Sequence, residues 1–329
     1  MKAMIIEEFG DSSVFTPADL PQPVLKPGHV LIRVEASSVN PVDCKIRRNG
    51  PPFAPELPAV LHADVAGVVE AVSEDVSDLK PGDLVYGCAG GVKGQGGALA
   101  DYMLVDARLI AQKPSSLDFA AAAALPLVTI TAWEGLIDKA KIREGQTILV
   151  HGGTGGVGHI AVQLAKWRGA QVTATASTPE KLQLAKDIGA DEVVNYHEED
   201  VSSYVNRLTN GEGFDLIFDS AGGANLLKSF EAVKLNGTVV TISTRQTYDL
   251  SIMHAKGLSL HVVFMLLPML KNVGRERHRA ILHEVASLVD TGHLNPLIDP
   301  KCFNFTQVAQ AHDYLEQKKA IGKVVLTRT

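Results

Sequence analysis

The segment Ile148–Lys166, ILVHGGTGGVGHIAVQLAK, lies near the centre of the 329-residue chain and decides its fold. A short apolar run, Ile148 to Val150, leads into a glycine-rich turn, and apolar residues then recur at helical spacing from Val157. Gly153, Gly155 and Gly158 form G-x-G-x-x-G directly after the strand and directly before the helix. In that setting the first glycine permits a tight turn. The second lets backbone approach a pyrophosphate, and the third lets helix and strand pack closely. A pyrophosphate there meets N–H groups with no partner and the positive end of the helix. Gly153, Thr154, Gly155, Gly156, Val157 and Gly158 therefore read as a dinucleotide-binding loop. The bare pattern also occurs in glycine turns that hold no ligand; the strand-turn-helix context is what carries the reading.

The rest of the central region repeats the same beat. TILVH, QVTATA, DEVVNY, FDLIFDS, GTVVTIS and LSLHVVF are candidate strands, with helical stretches such as PEKLQLAKDIG and ANLLKSFEAVKLNG between most of them. Strands alternating with helices imply crossover units and a parallel sheet, and six such strands make a complete doubly wound domain.

The ends of the chain differ. The first third alternates short strands, including VLIRVEASSV, ADVAGVVEAV and LVYGC, with turns at Lys26–Gly28 and Lys80–Gly82 of the form KPG, suited to type II geometry. Many short strands with few helices predict a curled antiparallel sheet or partly open barrel. A second glycine run, GCAGGVKGQGGALA, leads into a strand instead of a helix and reads as a mobile loop. Near the C-terminus two amphipathic helices are expected, RHRAILHEVASLVDTG with Gly292 beyond its end and TQVAQAHDYLEQKK with Thr306 as N-cap. The closing strand GKVVLT cannot stand alone, so it belongs on the first sheet. The fold expected is α/β: a doubly wound parallel Rossmann sheet inserted into a discontinuous, partly open β-barrel domain. The inserted domain spans 125–266, and the outer domain 1–124 and 267–329.

The end of the second strand of the insert selects the dinucleotide. An NAD site normally carries an acid there to accept from the ribose 2′-OH. Here the strand ends TATASTPEK, with Ala176 in that place. An uncharged tip leaves room for a 2′-phosphate, with Ser177 and Thr178 offering hydroxyls and Lys181 a positive charge. The same residues also make a helix start, with a hydroxyl N-cap and Pro179 at the first position; Glu180 argues for NAD. NADPH is the expected cofactor.

Composition narrows the class further. The chain is 46% hydrophobic and 21% charged, values of an ordinary globular protein. A net charge of −6 gives no general attraction to nucleic acid or anionic membrane, so neither is an expected partner. The longest apolar run, LSLHVVFMLLPML, is too short to span a bilayer. Three scattered cysteines, Cys44, Cys88 and Cys302, suggest free thiols in a reducing compartment. No targeting segment is evident, and a cytoplasmic location is expected.

The order and spacing of VEASSVNPVDCKIRRNG, ADVAGVVEAV, KPGDLVYG, ALPLVTITAWEGL, GGTGGVGHIAVQLAK, GADEVVNY and GKVVL resemble the medium-chain dehydrogenase/reductase superfamily. Within it, the chain is most similar to the zinc-independent NADPH:quinone and enone oxidoreductases. The resemblance covers nearly the whole chain and implies a GroES-like catalytic domain around the insert. Where the zinc alcohol dehydrogenases carry Cys and His ligands, this sequence has Asn40 and Ala63, and PLVTITAW has no cysteine. His62 is offset by one residue and reads as a satisfied polar group; His278 and His283 share no helix face. No metal is expected.

The resemblance also places residues. Asn40 would border nicotinamide and substrate, although NPVDCK is equally a good helix start, with Asn40 as N-cap, Pro41 at N1 and Asp43 reaching back. Lys45 corresponds to a lysine that binds the substrate carbonyl in related enone reductases, the bland alternative being a solvated surface lysine. Thr131 would lie near the cofactor or merely cap AWEGLI. Tyr196 would approach the 2′-phosphate with Lys181. Ser220, Gly222 and Ser243 sit at strand ends, where ligands bind, and Lys323 is a further cofactor candidate. Cys44 stands where some relatives have an aromatic, which with 5% aromatics overall implies an aliphatic pocket.

The implied reaction is hydride transfer to a quinone or to the C=C bond of an α,β-unsaturated carbonyl, with Lys45 and Asn40 stabilising the charge on oxygen. The alternative is a noncatalytic NADPH-binding member with a structural or RNA-binding role. A homodimer is expected through the apolar last strand, LSLHVVF, whose edge a partner would cover.

Overall fold

The computed structural model describes residues 1–328. The chain divides into two compact units: Met1–Ile130 with Leu266–Thr329, and Thr131–Met265. The first division falls inside the helix Pro126–Trp133.

The first unit is built on a mostly antiparallel sheet whose strands run in the spatial order Phe303–Asn304, Val324–Thr327, His29–Val39, Asp64–Val72, Leu84–Cys88 and Ile110–Gln112, the first two paired parallel, with Tyr102–Asp106 added beside His29–Val39. The long strand His29–Val39 is its spine. It pairs antiparallel with Asp64–Val72, Tyr102–Asp106 and the C-terminal strand. Register shifts at Leu31/Ile32 and Val34/Ala36 bend the spine so that different stretches of it can hold different neighbours. Val30, Ile32, Val34 and Ala36 are fully buried, which fixes the inward face and the register. The terminal strand lands as expected, Val324 opposite Val39 and Thr327 opposite Ala36. A small sheet of Phe15–Asp19, Lys2–Ile6 and Ala59–Val60 completes the unit.

The second unit is a six-stranded, all-parallel sheet in the order Glu192–Asn195, Gln171–Ala176, Thr147–His151, Phe214–Asp219, Val233–Thr241, Ser259–Val262. Numbered along the chain this is 3-2-1-4-5-6, the doubly wound order with its switch point between the first and fourth strands. Both faces are covered, so central strands read as continuous apolar runs: Ile148, Leu149, Val150, Ile217 and Phe218 are all fully buried. One face packs against Tyr204, Leu226 and Phe230 from the helices Val201–Thr209 and Asn225–Ala232.

Three local expectations are corrected. The helix expected over ANLLKSFEAVKLNG stops at Ala232, and the next strand begins at Val233. Val233 is fully buried and aligned with Phe214, so β-pairing overrides helical periodicity. Thr306 is not an N-cap: Asn304 is, and the Thr306 hydroxyl bonds Asn304 Oδ1 at 2.6 Å within a short turn that precedes the helix Val308–Glu316. The glycine run Gly87–Gly97 is largely buried packing, not an open loop. A Cβ on Gly97 would stand 1.9 Å from the Leu61 carbonyl oxygen, and one on Gly90 1.9 Å from that of Gly96. These glycines serve close backbone approach.

Candidate functional site

The glycine loop leaves the end of the strand Thr147–His151, and the helix Gly156–Trp167 begins at once. The positive φ falls on Gly152 (φ 69), one residue before the position where the tight turn was expected. Gly153 is required for a different reason: a Cβ there would stand 2.6 Å from Ala174 Cβ on the neighbouring strand. A Cβ on Gly158 would stand 2.0 Å from the Gly152 carbonyl oxygen, so the loop closes only without a side chain there. The N-cap is Gly155, exposed and with no side chain to bond the first turn, so the first-turn N–H groups are left for a ligand. This donor set fits a dinucleotide pyrophosphate.

Around the loop, polar groups at the ends of the parallel strands hold backbone in place. Thr175 Oγ1 accepts from the Gly152 N–H at 3.1 Å, and the Ser220 hydroxyl donates to the His151 carbonyl at 2.6 Å. Asp219, fully buried, accepts through Oδ1 from the N–H groups of Ala221 and Gly222 and from Asn225 Nδ2, at 2.9–3.0 Å. That single carboxylate shapes the Ser220–Gly223 turn. The sequence reading missed Asp219 and His151, although both lie in motifs it singled out; a charged or polar residue ending an otherwise apolar parallel strand was the available signal.

Ala176 ends its strand buried, and Thr178 Oγ1 caps the following helix by accepting from the Lys181 N–H at 3.3 Å. Ser177 and Lys181 are half-buried beside it, and the exposed Glu180 carboxylate, in the first turn of the following helix, hydrogen-bonds Thr178. Tyr196, 46% exposed, packs its ring at a 51° tilt against His197 just beyond the end of the adjacent strand. Ser220 and Ser243 are half-buried and Gly222 is buried; a Cβ on Gly222 would lie 2.5 Å from Ser243 Cβ, so these two strand-end loops touch. Thr131 is buried inside the helix Pro126–Trp133 and is not an N-cap: Trp133 holds that position for the following segment, Glu134–Lys139.

In the first unit the structure gathers Asn40, Asp43, Asp64 and Lys323 into one buried cluster. Asp43 Oδ2 accepts from the Asn40 N–H at 2.8 Å, as the expected helix start requires. Asn40 Nδ2 donates to Asp64 Oδ2 at 2.8 Å, and its Oδ1 accepts from the Lys323 ammonium. Lys323 Nζ also donates to the Val39 carbonyl at 3.2 Å and lies 3.4 Å from Asp64 Oδ2. Ser38 Oγ and the Leu127 N–H complete the shell of Asp64, each at 2.8 Å. Burial, reinforced by the Asp64 charge, pushes the Asp43 carboxyl up to about 7 against the pull of its Asn40 hydrogen bond and of Lys323. Burial also depresses the Lys323 ammonium, opposed mainly by Asp64. Asn40 and Lys323 thus spend their polar atoms on the scaffold. Lys45, one turn along the same helix, is exposed.

His62 is held in the same way. Its Nδ1 meets Ser37 Oγ at 3.1 Å and its Nε2 meets His312 Nε2 at 2.9 Å. Burial, helped by the Lys323 charge, lowers it to about 3. Among the described residues no group of three His, Cys, Asp or Glu side chains converges as a metal site. Zn²⁺ needs three or four such ligands, and beside Asn40 the positive centre is already an ammonium, so the donor set does not fit zinc.

Comparison with known proteins agrees with this architecture. Residues 26–115 match the alcohol dehydrogenase GroES-like domain, and residues 188–326 match the zinc-binding dehydrogenase family. Over 99% of its length the chain is 36% identical to a chloroplastic NADPH-dependent alkenal/one oxidoreductase of Arabidopsis thaliana, covering 79% of that protein. It is 32% identical to the quinone oxidoreductase of Sus scrofa, over 99% of this chain and 97% of the other. The crystal structure of an alcohol dehydrogenase superfamily protein from Novosphingobium aromaticivorans superposes with a TM-score of 0.95 at 40% identity, covering both chains completely. The chain belongs to the medium-chain dehydrogenase/reductase superfamily, among its quinone and alkenal oxidoreductases.

Proposed function

We propose that this protein is an NADPH-dependent reductase of quinones or of the C=C bond of α,β-unsaturated carbonyls, working without zinc. The observation that carries the reading is the uncapped glycine loop at the sheet's switch point, beside a strand tip where Ala176 replaces the acid of an NAD site. The names of the Arabidopsis and pig relatives support the same chemistry.

In this reading the backbone N–H groups of Gly156, Val157 and Gly158 hold the pyrophosphate, while the Gly155 N–H closes the loop onto the Gly152 carbonyl at 2.9 Å. Ser177, Thr178, Lys181 and Tyr196 receive the 2′-phosphate, and Ser220, Gly222, Ser243 and Thr131 border the rest of the cofactor. NADPH supplies the hydride when bound. Lys45 donates to the acceptor's carbonyl oxygen as negative charge develops there. Asn40 and Lys323 act from beneath, fixing the start of the helix that carries Lys45.

The donor set around Asn40 supports the zinc-free chemistry. The outer edge of Ser259–Val262, with Val262 44% exposed, supports a homodimer formed through that strand. Three free cysteines, two of them buried, suit the cytoplasm; no helix among the described residues is long and apolar enough to cross a membrane. The test is cofactor oxidation by the purified protein with a small quinone and a short alkyl enone. Turnover with NADPH and at least tenfold less with NADH supports the reading; turnover with NADH alone overturns it.

A further inference from the structure

His151 is the last residue of the strand that feeds the glycine loop, and it is 5% exposed. In the sheet it stands opposite Asp219, and its ring reaches the hydroxyl of Thr175 on the other side, Nδ1 to Oγ1 being 3.4 Å. Its neighbours in this row are spent on shaping loops: Thr175 holds the Gly152 N–H, and Asp219 holds the Ala221 and Gly222 N–H groups. His151 differs. Its Nε2 is buried and has no partner.

The hydrogen bonding favours one tautomer, the one that gives the Thr175 hydroxyl proton an acceptor. Thr175 Oγ1 already accepts from Gly152, and His151 Nδ1, 3.4 Å away, can accept its own hydrogen. Thr175 therefore donates to Nδ1, and the proton of the neutral imidazole sits on Nε2. Burial, opposed by the Asp219 charge, lowers the imidazole to about 4, so it stays neutral through the physiological range. A buried N–H with nothing to donate to is rare in folded proteins. The residue itself adjoins both strand-end loops: it directly precedes Gly152, and its carbonyl accepts from the Ser220 hydroxyl at 2.6 Å.

We infer that His151 is a positioning residue for the dinucleotide, its Nε2–H donating, directly or through one water, to an oxygen of the bound ribose or its phosphate esters. The inference rests on the NADPH reading above. It deepens that reading by assigning a buried neutral donor at the base of the site, next to the backbone donors of the loop. Because the donor is unpaired before ligand arrives, its bond is formed only in the complex. It therefore acts on cofactor affinity and not on the stability of the free protein.

The test compares wild type, His151→Leu and His151→Gln by calorimetric titration with NADPH and by thermal unfolding with and without it. Glutamine can place an amide N–H near the position of Nε2; leucine cannot. The expected result is a five- to tenfold weaker Kd for His151→Leu and a Kd within about twofold of wild type for His151→Gln, with any fall in the ligand-free Tm of His151→Leu attributable to the lost Thr175–Nδ1 bond. NADPH binding by His151→Leu as tight as wild type overturns the inference, as does loss of affinity in His151→Gln equal to that in His151→Leu. Should the leucine variant not fold, because it also removes the Nδ1 acceptor of Thr175, His151→Gln alone decides: a Kd more than fivefold weaker than wild type overturns the inference. Failure of the wild type itself to bind NADPH overturns the parent reading, and this inference with it.

Discussion

Replacing Lys323 with methionine, Lys323→Met, separates a scaffold lysine from a cofactor lysine. The side chain is 2% exposed, and its ammonium is shared among the Val39 carbonyl, Asn40 Oδ1 and Asp64 Oδ2. Methionine keeps much of the volume and removes the charge, leaving a fully buried Asp64 carboxylate with three remaining donors: Ser38, Asn40 and Leu127. Breaking a buried ion pair from one side costs about 3–5 kcal/mol, because the surviving charge is uncompensated. Both tryptophans, Trp133 and Trp167, lie in the other unit, so their fluorescence is the wrong probe. Native-state hydrogen exchange of the His29–Val39 and Val324–Thr327 amides is the right one. At about 1.4 kcal/mol per factor of ten, protection should fall by roughly two to three and a half orders of magnitude. NADPH affinity of the folded variant should stay within about twofold. Protection within tenfold of wild type, or a large loss of NADPH affinity with protection intact, would refute the scaffold role.

Four further outcomes are expected. Lys45→Met should lower kcat/KM for an enone by roughly ten- to a hundredfold while the NADPH Kd is unchanged, measured by steady-state kinetics alongside titration; an unchanged kcat/KM removes Lys45 from the chemistry. Ala176→Asp should weaken NADPH by about tenfold or more and favour NADH, because the new carboxylate repels a 2′-phosphate and accepts from a 2′-OH; no change in the NADPH/NADH ratio contradicts the placement of that phosphate. His62 has a folded pKa of about 3, below its unfolded value, so the stability it contributes is present above pH 6.5 and lost as pH falls from there toward 3. Between pH 8 and pH 5 that loss amounts to about 2 kcal/mol, and His62→Asn should show correspondingly less acid destabilisation than wild type in denaturant titrations. Asp43→Asn should shift the profile in the opposite direction, since Asp43 is raised to about 7.

The doubly wound insert was legible because its signals are local. An apolar strand, three spaced glycines and an apolar helix occupy Ile148–Lys166 and are repeated in weaker form through Val262. The tip of the second strand was equally open to reading, since Ala176 and the Thr178 cap are consecutive with it. What stayed hidden depends on contacts between distant parts of the chain. Lys323 and Asn40 are 283 residues apart, and nothing in GKVVL says that its ammonium turns inward onto NPVD. The burial of the second glycine run depends on Leu61, and its composition alone resembles a loop. Val233 reads as the end of a helix until the pairing with Phe214 is known. His151 and Asp219 look like ordinary strand-end residues until the sheet places them side by side.

The central claim is conjugate hydride transfer from NADPH without metal. The most direct measurement follows the label from NADPH deuterated at its transferring position into a short alkyl enone, with the purified protein in chelator-containing buffer. The expected product is a saturated ketone with deuterium on the β-carbon, formed at a rate the chelator does not change. Deuterium on the carbonyl carbon, giving an allylic alcohol in a reaction the chelator stops, would contradict it.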